Sequence, residues 1–227
     1  MTTPPTDARA APATPAQWLA FPIVPVVVVD EVDSALFIAD ALLEAGLPCI
    51  EVTLRSPIAL QAIERIAAAC PTMTIAAGTV LAPAQVRDVA NAGATLCVSP
   101  GFTRTLDDAM KAAGMPWIPG VATASEVMRA CEAGYSLLKF FPAAAAGGPA
   151  ALGAIAAAIR PALGGRPDFI PTGGVNVGNL PAWKALGCVA GVGGSWLTPA
   201  ASVLARDRAA IVTATRDALM AWHRAPG

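Results

Sequence analysis

Five times along this 227-residue chain a helix-like stretch closes on a glycine and a short apolar stretch follows at once. The instances are Glu44-Ala-Gly-Leu-Pro-Cys-Ile50, Asn91-Ala-Gly-Ala-Thr-Leu-Cys-Val98, Ala112-Ala-Gly-Met-Pro-Trp-Ile118, Glu132-Ala-Gly-Tyr-Ser-Leu-Leu-Lys139 and Ala185-Leu-Gly-Cys-Val-Ala-Gly191. Glycine after a helix supplies the left-handed residue that ends it, so Gly46, Gly93, Gly114, Gly134 and Gly187 are expected as helix terminators. Helix starts fall where this scheme needs them. Ser56-Pro57 reads as a cap followed by a first-turn proline, and Thr123-Ala-Ser-Glu126 reads as a capping box. Apolar positions 59, 62, 63 and 66 give one helix a buried stripe. Strands are expected near 23–29, 48–54, 73–77, 95–99, 116–119, 136–141, 168–172 and 188–193, at the spacing of βα units. Eight such units, closed by a helix near 207–223, predict an α/β fold of the (β/α)8 TIM-barrel class spanning 16–227. An open doubly wound sheet is the alternative; its dinucleotide-binding form loses support because no G-x-G-x-x-G follows the first strand.

Composition narrows the function. Net charge is −1 with no charge run, so nothing marks the chain for nucleic acid or an anionic membrane surface. The single histidine, His223, argues against a serine–histidine triad or a histidine-rich metal site. Two stretches without charge, Phe140–Ile159 and Ala185–Ala205, have the length of a membrane span. Proline and glycine interrupt both, and 52 alanines account for much of the 55% hydrophobic content. A soluble chain is expected. Met1–Pro15, rich in proline, alanine and threonine, reads as a disordered extension without the apolar core of a secretory signal. Five cysteines with no C-x-x-C pair point to buried thiols in a reducing cytoplasm.

In a barrel the carboxy-terminal strand ends converge on one face. Strand two ends in a run that includes Glu51, Thr53 and Arg55, strand three in Gly78-Thr79 and strand four in Ser99-Pro100-Gly101. Lys139 lies in strand six, and Pro171-Thr-Gly-Gly174 and Gly193-Gly-Ser195 end strands seven and eight. Lys139 alone of three lysines falls in a strand, among Leu137, Leu138, Phe140 and Phe141. A buried ammonium is costly unless it is paired or gives up its proton, and the neutral amine is the form that attacks a carbonyl. Glu51 interrupts the run Cys49, Ile50, Val52 in the same way. The pair reads either as a structural ion pair or as a Schiff-base lysine with its acid/base partner. Arg55 offers a fork of donors for a carboxylate, and Thr79 adds a hydroxyl. The two glycine-rich turns stand where barrels commonly bind phosphate.

Glu51-Val-Thr-Leu-Arg55, Ala77-Gly-Thr-Val80, Ser99-Pro-Gly101, Lys139-Phe-Phe-Pro142, Pro171-Thr-Gly-Gly174 and Gly193-Gly-Ser-Trp196 together closely resemble the 2-keto-3-deoxy-6-phosphogluconate (KDPG) aldolases, from about Val24 to Leu197. The resemblance implies a metal-independent class I aldolase without cofactor. It would cleave KDPG to pyruvate and glyceraldehyde 3-phosphate, and, as in many members, 4-hydroxy-2-oxoglutarate to pyruvate and glyoxylate. By the same resemblance Lys139 is the Schiff-base lysine and Glu51 the general acid/base. Arg55 and Thr79 hold the pyruvate carboxylate, and Gly173, Gly174, Gly194 and Ser195 receive the phosphate. A cytoplasmic homotrimer is implied as well. One departure is Ala144, where the family commonly has glutamate. The rival readings are a phosphate-binding isomerase or epimerase using carboxylate or cysteine, and a catalytically silent sugar-phosphate binder.

Overall fold

The computed structural model describes Trp18 and residues 20–226. The extension expected at 1–15 lies outside the described residues. Parallel strands alternate with helices as the glycine spacing predicts: β1 (Ile23–Val27), β2 (Cys49–Thr53), β3 (Thr74–Gly78), β4 (Leu96–Val98), β5 (Trp117–Ile118), β6 (Gly120–Val121), β7 (Leu137–Phe140), β8 (Asp168–Pro171) and β9 (Val192–Gly194). The helices are α1 (Val32–Glu44), α2 (Ala59–Ala69), α3 (Pro83–Ala92), α4 (Arg104–Ala113), α5 (Ala124–Glu132), α6 (Gly148–Ile159), α7 (Leu180–Lys184), α8 (Ala200–Leu204) and α9 (Arg208–Arg224). All five expected terminators, Gly46, Gly93, Gly114, Gly134 and Gly187, have positive φ. Thr123 and Glu126 form the expected capping box.

Hydrogen bonding runs β5-β4-β3-β2-β1-β9 in one arc and β6-β7-β8 in the other. The arcs make one ring. On one side β5 and β6 are a single extended segment divided by Pro119: Trp117–Ile118 pairs with β4, and Gly120–Val121 pairs with β7. Proline has no N–H to give a ladder, which is why the expected strand at 116–119 is split. Its carbonyl still accepts from Lys139 N at 2.9 Å. On the other side, parallel bridges join Phe169 to Val189 and Thr172 to Gly193. The expected strand at 188–193 therefore serves two neighbours, with Cys188–Ala190 bonded to Phe169 and Val192 onward bonded along β1.

One helix start differs from expectation. Ser56 does not cap α2; the first helical residue is Ala59, its N-cap is Ile58, and the Ser56 hydroxyl is buried among the described residues with no partner. Backbone bonding from Ala59 N to Ser56 O makes 56–59 a turn instead. The stripe at 59, 62, 63 and 66 is buried as the periodicity predicts. Small side chains such as Ala35, Ala39, Ala62 and Ala130 are wholly buried on the inner helix faces, so the alanine content serves close packing of helices on the ring. No helix among the described residues is long and apolar enough to cross a membrane. Helix α9 is held at both ends. Asp207 accepts from Ala210 N at 3.0 Å at its start. Lys184 Nζ donates to the carbonyls of Trp222 and Ala225 at its close, the placement the negative end of a helix favours.

The loop after β4 is fixed from beneath. Ser99 Oγ donates to Gly101 O at 2.6 Å and accepts from Trp117 Nε1 at 2.9 Å. Trp117 stacks on Phe102 and meets Tyr135 edge to face. Tyr135 OH donates to buried Asp107, which Lys111 also contacts at 2.9 Å. Burial raises the Asp107 carboxyl, but its bonds to Lys111 and Tyr135 outweigh that and hold it below the usual carboxylate range.

Candidate active site

Strands β2 and β7 hold the second and sixth places in an eight-place ring and so lie diametrically opposed. A contact between their side chains requires both to point at the barrel axis. Lys139 Nζ donates to Glu51 Oε1 at 3.0 Å across that axis, with side chains only 8% and 4% exposed. Cys49, Ile50 and Val52 are buried beside Glu51, and Leu137, Leu138 and Phe140 beside Lys139. The ammonium also lies 5.4 Å from the Phe141 ring centroid, within cation–π range.

The pair opens on a narrow pocket whose other walls include Val24, Ile118, Ile170 and Thr172. A buried ion pair is weak evidence for stability, because its desolvation cost offsets much of the attraction. Here it is the charged end of an otherwise apolar chamber. None of the described cysteines lines that chamber. Burial pushes the Cys49 thiol well above its usual value and that of Cys97 up to about 12. Neutral thiols of that kind are poor bases or nucleophiles near neutral pH.

Arg55 and Thr79 sit beside the chamber at neighbouring strand ends, not among its walls. Leu54 N donates to Gly78 O at 2.8 Å, tying the residue before Arg55 to the residue before Thr79. The Arg55 side chain is exposed. Thr79 has φ 57°, a left-handed conformation that a β-branched residue adopts only at a cost. The phosphate-loop candidates come together as the strand order requires. The Thr172–Gly193 bridge sets Gly173 and Gly174 beside Gly194 and Ser195. Gly173 and Gly174 have φ of 96° and 77°, so that turn needs glycine. Ala144 packs where a side chain on Gly174 would stand, and its N–H donates to Gly173 O at 2.9 Å. The loop after β7, which carries Ala144, is thereby sewn onto the turn after β8.

Thr172, at the end of the expected strand 168–172, also lines the chamber, a role its place beside the Gly173-Gly174 turn obscures. The signal was available, because Ile170 and Thr172 alternate with Phe169 and Pro171 and share the inward face. Gly193 leaves the room for its hydroxyl, which a side chain there would overlap.

The KDPG and KHG aldolase family model matches residues 17–214. The chain belongs to this family. It is 41% identical to the KHG/KDPG aldolase of Escherichia coli K12 over 198 residues, covering 87% of this chain and 91% of that protein. It is 40% identical over 197 residues to the 2-dehydro-3-deoxy-phosphogluconate aldolase of Treponema pallidum, with the same coverage. Among solved structures, the KDPG aldolase of Legionella pneumophila, with pyruvate captured as a covalent carbinolamine intermediate, superposes with a TM-score of 0.83 at 41% identity. It covers 88% of this chain and 95% of that one. The barrel expected from the βα count is the fold of these aldolases, and this family member is accordingly a carbon–carbon lyase.

Proposed function

We infer that this aldolase-family chain cleaves KDPG to pyruvate and glyceraldehyde 3-phosphate through a Schiff base on Lys139, and accepts 4-hydroxy-2-oxoglutarate by the same chemistry. The observation that carries this reading is the 3.0 Å Lys139–Glu51 contact at the head of an apolar chamber. Moving one proton across that contact turns ammonium and carboxylate into amine and carboxylic acid. The structural ion pair and the reactive pair are then two protonation states of one contact.

The amine attacks C2 of the ketone, and Glu51 returns the proton to the carbinolamine hydroxyl, which leaves as water. The resulting iminium accepts the electron pair of the breaking C3–C4 bond. Glu51, now a carboxylate, takes the C4 hydroxyl proton as the aldehyde departs, directly or through a water. It then protonates C3 of the enamine, and hydrolysis releases pyruvate and frees the lysine. Arg55 and Thr79 hold the carboxylate next to C2, so the ketone meets the amine in one orientation. Gly173, Gly174, Gly194 and Ser195 take the phosphate, binding remote from the reacting carbons. By resemblance to its family the enzyme works in the cytoplasm as a homotrimer.

The purified chain is expected to release pyruvate from KDPG and from 4-hydroxy-2-oxoglutarate, read by coupled lactate dehydrogenase. Absence of pyruvate from both substrates contradicts the reading. The left-handed backbone at Thr79 allows a separate test of the carboxylate site. Left-handed geometry costs a side-chain-bearing residue roughly 1–2 kcal/mol, whereas glycine's extra chain entropy costs about 0.5–1 kcal/mol. Thr79→Gly is expected to melt at or above the parent temperature while its apparent KM rises several-fold. Thr79→Val, which keeps the strain and loses the hydroxyl, shares the KM defect without the gain in stability. A lower melting temperature with unchanged KM for Thr79→Gly would assign Thr79 to the scaffold instead.

A further inference from the structure

Gly78 has neither of the ordinary reasons to be glycine. Its φ is outside the left-handed region, and it ends a regular strand in register with Thr53. What distinguishes it is the neighbour above it. In the parallel pairing of β2 with β3, Glu51 stands opposite Ala76, and Ala76 and Gly78 share one face of the strand. A β-carbon on Gly78 would fall 2.8 Å from Glu51 Cγ and 2.9 Å from Cδ, and would overlap Oε1, the oxygen that accepts from Lys139. The Glu51 carboxylate thus occupies the volume that a side chain at 78 would fill. Both residues are buried, so Glu51 cannot swing into solvent to escape.

We propose that Gly78 is a positioning residue: its missing side chain is the seat that holds the Glu51 carboxylate against Lys139. The proposal rests on the reading of Glu51 as the acid/base group, but its packing half is independent of that reading. Gly78→Ala keeps both functional residues and displaces the Glu51 carboxylate. The lysine can still reach the adduct with pyruvate given time, since solvent water can protonate the carbinolamine hydroxyl, while proton transfer to and from C3 of the enamine loses its positioned group.

The test compares the parent, Gly78→Ala, Glu51→Ala and the double variant by thermal melting, and by exchange of the pyruvate methyl protons in deuterium oxide followed by proton NMR. The parent exchanges. Gly78→Ala is expected to exchange roughly 10²-fold more slowly, the low end of what a positioned acid/base group contributes, yet to give a covalent adduct on borohydride reduction with pyruvate. Its melting temperature falls below the parent's. Removing the obstacle reverses that loss, so Gly78→Ala lowers the melting temperature less than half as much in the Glu51→Ala background. Exchange within about two-fold of the parent, or an equal drop in melting temperature in both backgrounds, overturns the proposal. Should Gly78→Ala not fold, recovery of folding in the double variant supports the seat and its absence refutes it. Should the parent itself fail to exchange, the acid/base reading fails and the melting comparison alone decides the packing claim.

Discussion

Lys139→Ala is expected to lower turnover by roughly 10⁴-fold or more, because in the proposed mechanism the residue supplies the bond through which every later step passes. No other described lysine can take over. Lys111 Nζ is engaged with Asp107 and with Ala133 O, and Lys184 Nζ lies against the end of α9. The variant also strands the buried Glu51 carboxylate without its partner, a change that typically costs about 3–5 kcal/mol. Activity is therefore compared at a temperature where circular dichroism shows both proteins folded. Turnover within about ten-fold of the parent by a folded Lys139→Ala would remove the lysine from the chemistry and leave the contact as a structural ion pair.

Glu51→Gln separates proton transfer from substrate binding. Glutamine has nearly the same shape, and its carbonyl can accept from Lys139, but it cannot pass a proton along. The expected loss in kcat is about 10²–10⁴-fold, the usual contribution of a positioned acid or base. Apparent KM is expected to change little, because the proposed mechanism assigns substrate binding to Arg55, Thr79 and the two glycine-rich turns. Turnover is measured on KDPG and KM over a substrate series. A rise in KM with kcat preserved would mean that Glu51 binds substrate instead of moving protons.

Lys139 and Glu51 were legible in the sequence because each interrupts an apolar strand in a chain with few charges, and the barrel order then set them across the axis. The five helix-ending glycines were legible because the left-handed conformation leaves a chemical signature. Other features carry no such mark. Ser56-Pro57 has the composition of a helix start, yet a backbone bond from Ala59 N to Ser56 O makes it a turn. The division of strand five follows from Pro119, but the sequence does not say that each half pairs with a different neighbour. Thr172 was masked by the glycine pair beside it, although its alternation with Ile170 placed it inward. Gly78 could not be read as a seat at all, since its role is space that only the packed neighbour defines.

The covalent step is the centre of the account, and borohydride reduction in the presence of pyruvate reads it directly. The parent protein is expected to gain the mass of pyruvic acid less one oxygen atom, and peptide mapping should place the gain on Lys139. Lys139→Ala should gain nothing under the same conditions. A folded parent that takes up no mass from saturating pyruvate, or takes it up on another lysine, would contradict the mechanism.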